Sequence, residues 1–171
     1  MESVRTQLAA AKLQSGVISN GIGYEIPTKG TTYAFSCVPI ANFGISEDTP
    51  ADLVAIEHVV DPNSKEYVHH FILIASSARC TEAGKPESQK DHWGYTVIPI
   101  YAWTNGVPPM VFPDDVGISL GQDNKRSLIL ETHFHNPDGI AGVIDSSGVR
   151  IYFTPPQDPA KRSPHKAGML S

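Results

Sequence analysis

Two apolar segments far apart in the chain each carry a pair of histidines. Residues 67–74 include His69 and His70, and residues 127–135 end in His133 and His135. Short apolar runs rich in β-branched residues are typical of buried strands. Because a strand needs no histidine to pack, and because neutral imidazole is a common metal ligand near neutral pH, we predict a metal site built between strands.

The composition predicts one globular domain. The chain has 171 residues, of which 40% are hydrophobic and 18% charged, and its net charge is −5. The sequence has no block of basic residues, which argues against nucleic acid as a partner. It also has no apolar run that approaches the roughly 20 residues needed to cross a bilayer. Residues 1–16 lack the apolar region of a signal peptide, so for an exported protein we expect the signal to have been removed.

The spacing of the strand-like segments predicts an all-β fold, an antiparallel β-sandwich or jelly roll. The predicted strands are residues 31–38, 53–60, 67–74, 95–103, 118–120, 127–135 and 148–154. Pro99 marks its strand as an edge or a bulge. We expect residues 1–23 to form a loose N-terminal arm with a short helix over 2–13, residues 24–155 the domain, and residues 156–171 a tail or linker.

The histidines differ in what their positions predict. Those in loops, His92 and His165, are expected to be solvated, and His58 is expected to be a half-buried polar residue of its strand. In a regular strand the side chains of residues 133 and 135 share a face, whereas those of 69 and 70 point to opposite faces. Spacing alone therefore favours the later pair plus one of the adjacent pair, unless the earlier strand ends, twists or bulges there.

An all-histidine set without a thiolate suits copper, zinc, iron or nickel better than calcium or magnesium. Other sites are weaker. Ser36, Ser76 and Ser77 lack a GxSxG context, and Asp114, Asp115 and Asp138 lie in turns, where aspartate is ordinary. We assign no catalytic residue.

The two cysteines, Cys37 and Cys80, leave two interpretations open. They are either buried free thiols or partners in a disulfide, which would stabilise the fold by roughly 3–4 kcal/mol in the chain-entropy model. We favour the disulfide.

Several separated motifs occur in an order that resembles a known family. They are His69-His70 before an apolar strand, Tyr101-Ala102-Trp103, Pro108-Pro109, Phe112-Pro113, Val116-Gly117, Glu131-Thr132-His133-Phe134-His135-Asn136-Pro137 and the segment 145–152. The family is that of the copper type II, ascorbate-dependent monooxygenases, which includes dopamine β-monooxygenase and peptidylglycine α-hydroxylating monooxygenase. The resemblance covers roughly residues 24–170.

The resemblance implies a jelly roll of eight or nine strands, similar to the N-terminal half of the family's two-domain catalytic core. It implies one electron-transfer copper per chain, held by His69, His70 and His133, with ascorbate as the small-molecule electron donor. His135 matches a position that is histidine in the dopamine β-monooxygenase type but is not a ligand there. The resemblance also implies a second copper domain as partner and a secreted or secretory-lumen location.

Departures from the family pattern limit what carries over. Phe71 replaces the usual methionine, and Ser76 replaces a cysteine, so most family disulfides are absent. The second copper site, an HxH pair and a methionine in the C-terminal half, has no counterpart in residues 1–171.

The leading hypothesis is therefore the copper domain of an enzyme that hydroxylates a C–H bond with dioxygen. Alone, this chain should not perform coupled hydroxylation. The alternatives are a stand-alone copper-binding or electron-transfer module without turnover, and a structural sandwich with incidental histidines.

Overall fold

A computed structural model of the chain describes residues 12–21, 23–81, 97–113, 116–156 and 158. Within these residues the chain is all β apart from one 3-10 helix, Ile40–Phe43. The strands are β1 (Gln14–Ser19), β2 (Tyr24–Glu25), β3 (Thr31–Pro39), β4 (Ala51–Val59), β5 (Val68–Ser76), β6 (Val97–Thr104), β7 (Met110–Val111), β8 (Ile118–Leu120), β9 (Ser127–His135), β10 (Ile144–Asp145) and β11 (Gly148–Phe153). Every strand pairing among the described residues is antiparallel, which confirms the predicted fold class.

The strands form two main sheets. One has the order β1-β11-β4, with the short strands β7 and β8 both paired to β4; the other has the order β3-β9-β5-β6. A single apolar core joins them, because Leu53 and Ile151 of the first sheet belong to the same buried cluster as Phe71 and Leu130 of the second. The molecule is therefore a β-sandwich, consistent with a jelly roll.

Side-chain alternation fixes the outer face of the second sheet. Phe71, Leu73 and Ala75 of β5 lie in the core, so His70 and Ile72, which alternate with them, face away from it. Phe71, the residue at the family's methionine position, points into the core and stacks on Trp103 with ring centroids 5.0 Å apart. It packs the interior and does not face the histidines.

The sandwich begins earlier than the sequence predicted. Residues 14–19, expected in the loose arm, form β1 and pair with β11. Gly16 lies inside this strand, and the Phe43 ring packs where a Cβ atom would be. A glycine that admits a close neighbour is hard to tell from a glycine that ends a helix when only the sequence is known.

Pro99 and the cysteines behave as predicted. Pro99 lies in β6, an edge strand, and the β5–β6 register shifts between Leu73 and Ile74, where Tyr101 and Pro99 are the successive partners. Cys37 and Cys80, which are separated by 43 positions in the sequence, form a disulfide. The free-thiol interpretation is therefore wrong.

A buried serine–aspartate cluster (Asp145, Ser64 and Ser147) fixes the β4–β5 connection. The Ser64 hydroxyl donates to the Asp145 carboxylate (2.6 Å), as do the hydroxyl and the backbone N–H of Ser147. All three residues are fully buried. The cluster holds the turn that leads into the adjacent histidines, since the N–H of Tyr67 donates to the carbonyl of Ser64.

Some predictions lie outside the described residues. These are most of the N-terminal helix, residues 95–96 of the predicted fourth strand, His92, His165, Asp114, Asp115 and most of the predicted tail. The domain boundaries stay predictions.

Candidate metal centre

A β-bulge brings the two adjacent histidines to one site. Across β5 and β9, Val68 pairs with Phe134 and His70 pairs with His133, so His69 is an extra residue that has no partner on β9. A bulge redirects the side chains beside it, which allows neighbouring residues to reach the same place. This is one of the distortions that the sequence required for both residues to bind one ion. The carbonyl of His69 accepts a hydrogen bond from the Thr104 hydroxyl of β6 (3.0 Å).

The predicted ligands converge. His69, His70 and His133, the histidine triad, each offer a ring nitrogen, and these atoms all lie within 4.8 Å of one another. The Nδ1 atom of His70 is 3.1 Å from Nδ1 of His69 and 3.2 Å from Nδ1 of His133. Two segments more than sixty residues apart therefore contribute to a single cluster.

The triad lies on the outer face of the second sheet and is partly open to solvent. His69 is exposed, whereas His70 and His133 are half-buried. On the other side of His133, the ring of Tyr33 from β3 stacks almost parallel to it, with centroids 4.6 Å apart and an angle of 10°. The tyrosine ring therefore fixes the orientation of the imidazole.

The surroundings of His133 favour its neutral form. Burial lowers the pKa of His133 below its ordinary value, and the neighbouring rings of His70, His69 and His135 lower it further. A neutral imidazole has a lone pair that a cation can bind. The metal-free cluster therefore favours the protonation state of His133 that a metal ligand needs.

His135 lies outside the cluster. It shares the outer face with His133 but is exposed and pairs with Thr31 at the far edge of the strand pairing. It is not among the residues whose ligand atoms lie within 4.8 Å of one another. Spacing alone, which favoured the pair 133 and 135, would have chosen the wrong partner for this cluster.

Two neighbours of the triad were not found from the sequence. Oε1 of Glu131 is 3.9 Å from Nε2 of His70, too far for a direct hydrogen bond but close enough to act through its charge. Tyr33 is the other. Glu131 precedes His133 by two residues and so shares its face, a signal that was available; the pairing of Tyr33 with His133 depends on a β3–β9 register that the sequence does not display.

The donor set fits a transition metal. It consists of three imidazole nitrogens, which suit copper, zinc, iron or nickel. The buried Nε2 of His133 has no hydrogen-bond partner among the described residues. Among these residues, the His133 ring makes its hydrogen-bonding contact with His70. It does so through Nδ1, the nitrogen that faces the triad.

The remaining candidates do not join this site. His58 is half-buried, as predicted, and stacks on Trp103 between the sheets, with ring centroids 4.8 Å apart. Ser36 and Ser76 are buried, and Asp138 is exposed in a turn.

No helix in the described part of the chain is long and apolar enough to span a membrane.

Comparison with known proteins gives an independent result. The model of the family described as "Copper type II ascorbate-dependent monooxygenase, N-terminal domain" matches residues 21–141. That segment contains all three histidines of the triad and the bulged start of β5.

Curated relatives match most of the chain. Dopamine beta-hydroxylase of Homo sapiens is 29% identical over 141 residues, which cover 76% of this chain and 22% of that protein. DBH-like monooxygenase protein 1 of Mus musculus is 28% identical over 137 residues, covering 75% and 22% respectively. Dopamine beta-hydroxylase of Rattus norvegicus is 28% identical over 129 residues, covering 69% and 19%. The chain thus spans about a fifth of the length of these relatives.

Proposed function

Because the chain belongs to the copper type II ascorbate-dependent monooxygenase family, we propose that it is the N-terminal copper domain of such an enzyme. In this proposal His69, His70 and His133 hold one electron-transfer copper. The observation that carries it is the convergence of three ring nitrogens, from two distant strands, within 4.8 Å of one another.

Each element of the site has a defined task in this proposal. The bulge at His69 directs two adjacent rings to one ion, and Thr104 holds the bulge through the His69 carbonyl. Tyr33 keeps the His133 ring in place by stacking. When bound, copper would supply a one-electron centre that ascorbate reduces from Cu(II) to Cu(I). Three imidazole ligands on an open face suit this exchange, because the site keeps access to solvent.

Hydroxylation itself is proposed for a second copper domain that acts as partner. The relatives are named as hydroxylases and monooxygenases, and the matched segment is about a fifth of their length. Among the described residues, the histidine triad is the single group of three or more potential ligands that could hold a metal. We therefore propose that dioxygen and the C–H substrate react outside this domain.

We also propose that the protein works in an oxidising compartment, either secreted or within the secretory pathway. The disulfide between Cys37 and Cys80 supports this location, because disulfides are rare where thiols are kept reduced.

The test of copper binding is metal analysis with EPR on the purified, copper-loaded chain. We expect one copper per chain and a type II Cu(II) spectrum with nitrogen hyperfine structure, and we expect His133→Ala to lose this spectrum. An unchanged spectrum in His133→Ala would refute the proposed ligand set.

Oxygen consumption with ascorbate, followed by product analysis, tests the division of labour. We expect copper reduction without stoichiometric hydroxylated product from this chain alone. Stoichiometric product would show that the second domain is not needed.

A further inference from the structure

A second group of polar and aromatic side chains lies at the same end of the sandwich as the triad. A cleft of about 710 Å³ opens where the end of β4, the β4–β5 connection and the end of β6 meet. His58, Trp103 and Asn105 are among its walls, together with the exposed residues Lys65 and Glu66. We call it the His58 cleft. Its volume is within the roughly 300–1,000 Å³ that is typical of small-molecule sites.

His58 gives the cleft a neutral hydrogen-bonding group. It pairs with Val149, a core residue, so its side chain lies on the inward face of the first sheet, where it stacks on Trp103. Burial lowers the pKa of His58, although the nearby Glu57 carboxylate opposes this shift. Its Nδ1 atom is 3.5 Å from the Tyr101 hydroxyl. A neutral imidazole in this position can accept a proton.

Trp103 contributes a buried aromatic wall to the cleft. The residue is 6% exposed and packs between His58 and Phe71, yet its indole N–H has no hydrogen-bond partner among the described residues. Buried indole N–H groups usually have a partner. Because the ring lines the cleft, its indole signal can report a ligand bound there.

The cleft is structurally connected to the triad. Trp103 is followed directly by Thr104, which pairs with His70 and donates a hydrogen bond to the His69 carbonyl. Trp103 itself pairs with Phe71, the neighbour of His70. The cleft and the triad therefore share one end of β5 and β6.

We propose that the His58 cleft binds the electron donor, a planar enediol monoanion of the ascorbate class. This inference rests on the proposed function, because it assigns a place to the reductant of that copper. The Lys65 ammonium matches the single negative charge, His58 and Asn105 offer hydrogen bonds to the ring oxygens, and the Glu66 carboxylate opposes binding.

The chemistry explains why a neutral imidazole is useful there. When the ascorbate monoanion gives one electron, it also loses the proton of its remaining enediol hydroxyl and becomes a radical anion. A copper held by the triad would take up the electron, and the proton would pass to the His58 imidazole, so charge and atoms balance.

The test is an anaerobic titration of the metal-free chain with ascorbate, followed by the indole N–H signals in NMR. A Trp93→Phe variant assigns the Trp103 signal. We expect a saturable shift of that signal with ascorbate and none with gulono-1,4-lactone, a similar ring without the enediol. His58→Phe keeps an aromatic ring against Trp103 but removes the nitrogens, and should weaken binding roughly tenfold.

The exposed pair Lys65 and Glu66 supplies matched variants that do not depend on packing. Lys65→Gln should weaken ascorbate binding about two- to fivefold, and Glu66→Gln should strengthen it by a similar factor. Equal responses in these two variants, or no saturation with wild type, would overturn the proposal. Since the chain is metal-free throughout, a failure to bind copper would refute the proposed function without deciding this result. If His58→Phe does not fold, the charge pair alone decides.

Discussion

The histidine triad and the buried serine–aspartate cluster are two polar groups at the same end of the sandwich, and they are built in opposite ways. The carboxylate of Asp145 is fully buried and accepts hydrogen bonds from Ser64 and Ser147. In the triad, three ring nitrogens face one another on a partly open surface, with Nδ1 atoms 3.1 and 3.2 Å apart.

The difference separates polar residues that hold the fold from polar residues that await a ligand. A buried group that is fully paired gains nothing from a further partner, and its loss leaves unsatisfied donors. Ring nitrogens that converge with only one another as partners can bind a cation in place of those contacts. Loss of the first kind should therefore change stability, and loss of the second kind should change metal binding.

The largest effect is expected for Asp145→Ala. Removing this carboxylate leaves the hydroxyls of Ser64 and Ser147 and one backbone N–H without their acceptor, which should destabilise the fold by about 3 kcal/mol or more. Urea unfolding of the metal-free chain measures this effect. Asp138→Ala, at an exposed turn position, is the control and should change stability by less than about 0.5 kcal/mol. Similar losses in both variants would contradict the structural role of the cluster.

The opposite pattern is expected for the triad. His70→Ala should lower copper affinity at least about 100-fold, because it removes a ligand outright. Loss of a residue that only hydrogen-bonds to a metal ligand already costs up to about that factor. His135→Ala is the matched control: it removes an exposed imidazole from the same face but from outside the triad. Competition with a chelator of known affinity measures both variants. A large loss in His135→Ala would show that the ligand set includes this residue.

Local patterns in the sequence were enough to predict the strands and the histidines of the triad, but not the serine–aspartate cluster. The strands now seen as Thr31–Pro39 and Ser127–His135 follow from alternation and β-branched composition over a few residues. The histidines were conspicuous because apolar strands carry few of them. Family resemblance then chose His133 over His135, which spacing alone did not.

Long-range register decides the rest, and the sequence does not display it. The bulge at His69 exists only relative to β9, since it is defined by two residues of β5 facing one partner. Ser64 and Asp145 meet across 81 residues, and serine and aspartate in turns have ordinary local explanations. The structure alone shows which polar residues are paired in the interior.

A smaller effect is expected from Glu131, which is near the triad without being a ligand. Its carboxylate is 3.9 Å from Nε2 of His70, so Glu131→Gln removes a negative charge close to the bound copper. This should favour Cu(I) and raise the reduction potential by a few tens of millivolts, on the order of 0.5–1 kcal/mol. Redox titration of the copper-loaded chain measures the shift. Asp48→Asn, an equal charge change at an exposed site in the connection after the 3-10 helix, should leave the potential almost unchanged.

The smallest effect is expected for the pH dependence of the stability of the metal-free chain. The pKa of His133 is lowered in the folded state, first by burial and then by the neighbouring imidazoles, and burial also lowers the pKa of His58. The unfolded chain therefore takes up protons near pH 6.5 that the folded chain takes up only at lower pH. Stability should fall as the pH is lowered through 6.5 and should level off below the folded-state pKa values.

Urea unfolding at pH 7.5 and 5.5 measures the slope. His133→Gln should reduce the slope, because one of the two contributing groups is gone, whereas Ser64→Ala should lower stability by the same amount at both pH values. A slope unchanged in His133→Gln would mean that the triad is indifferent to protons, and the contrast with the paired cluster would then rest on metal binding alone.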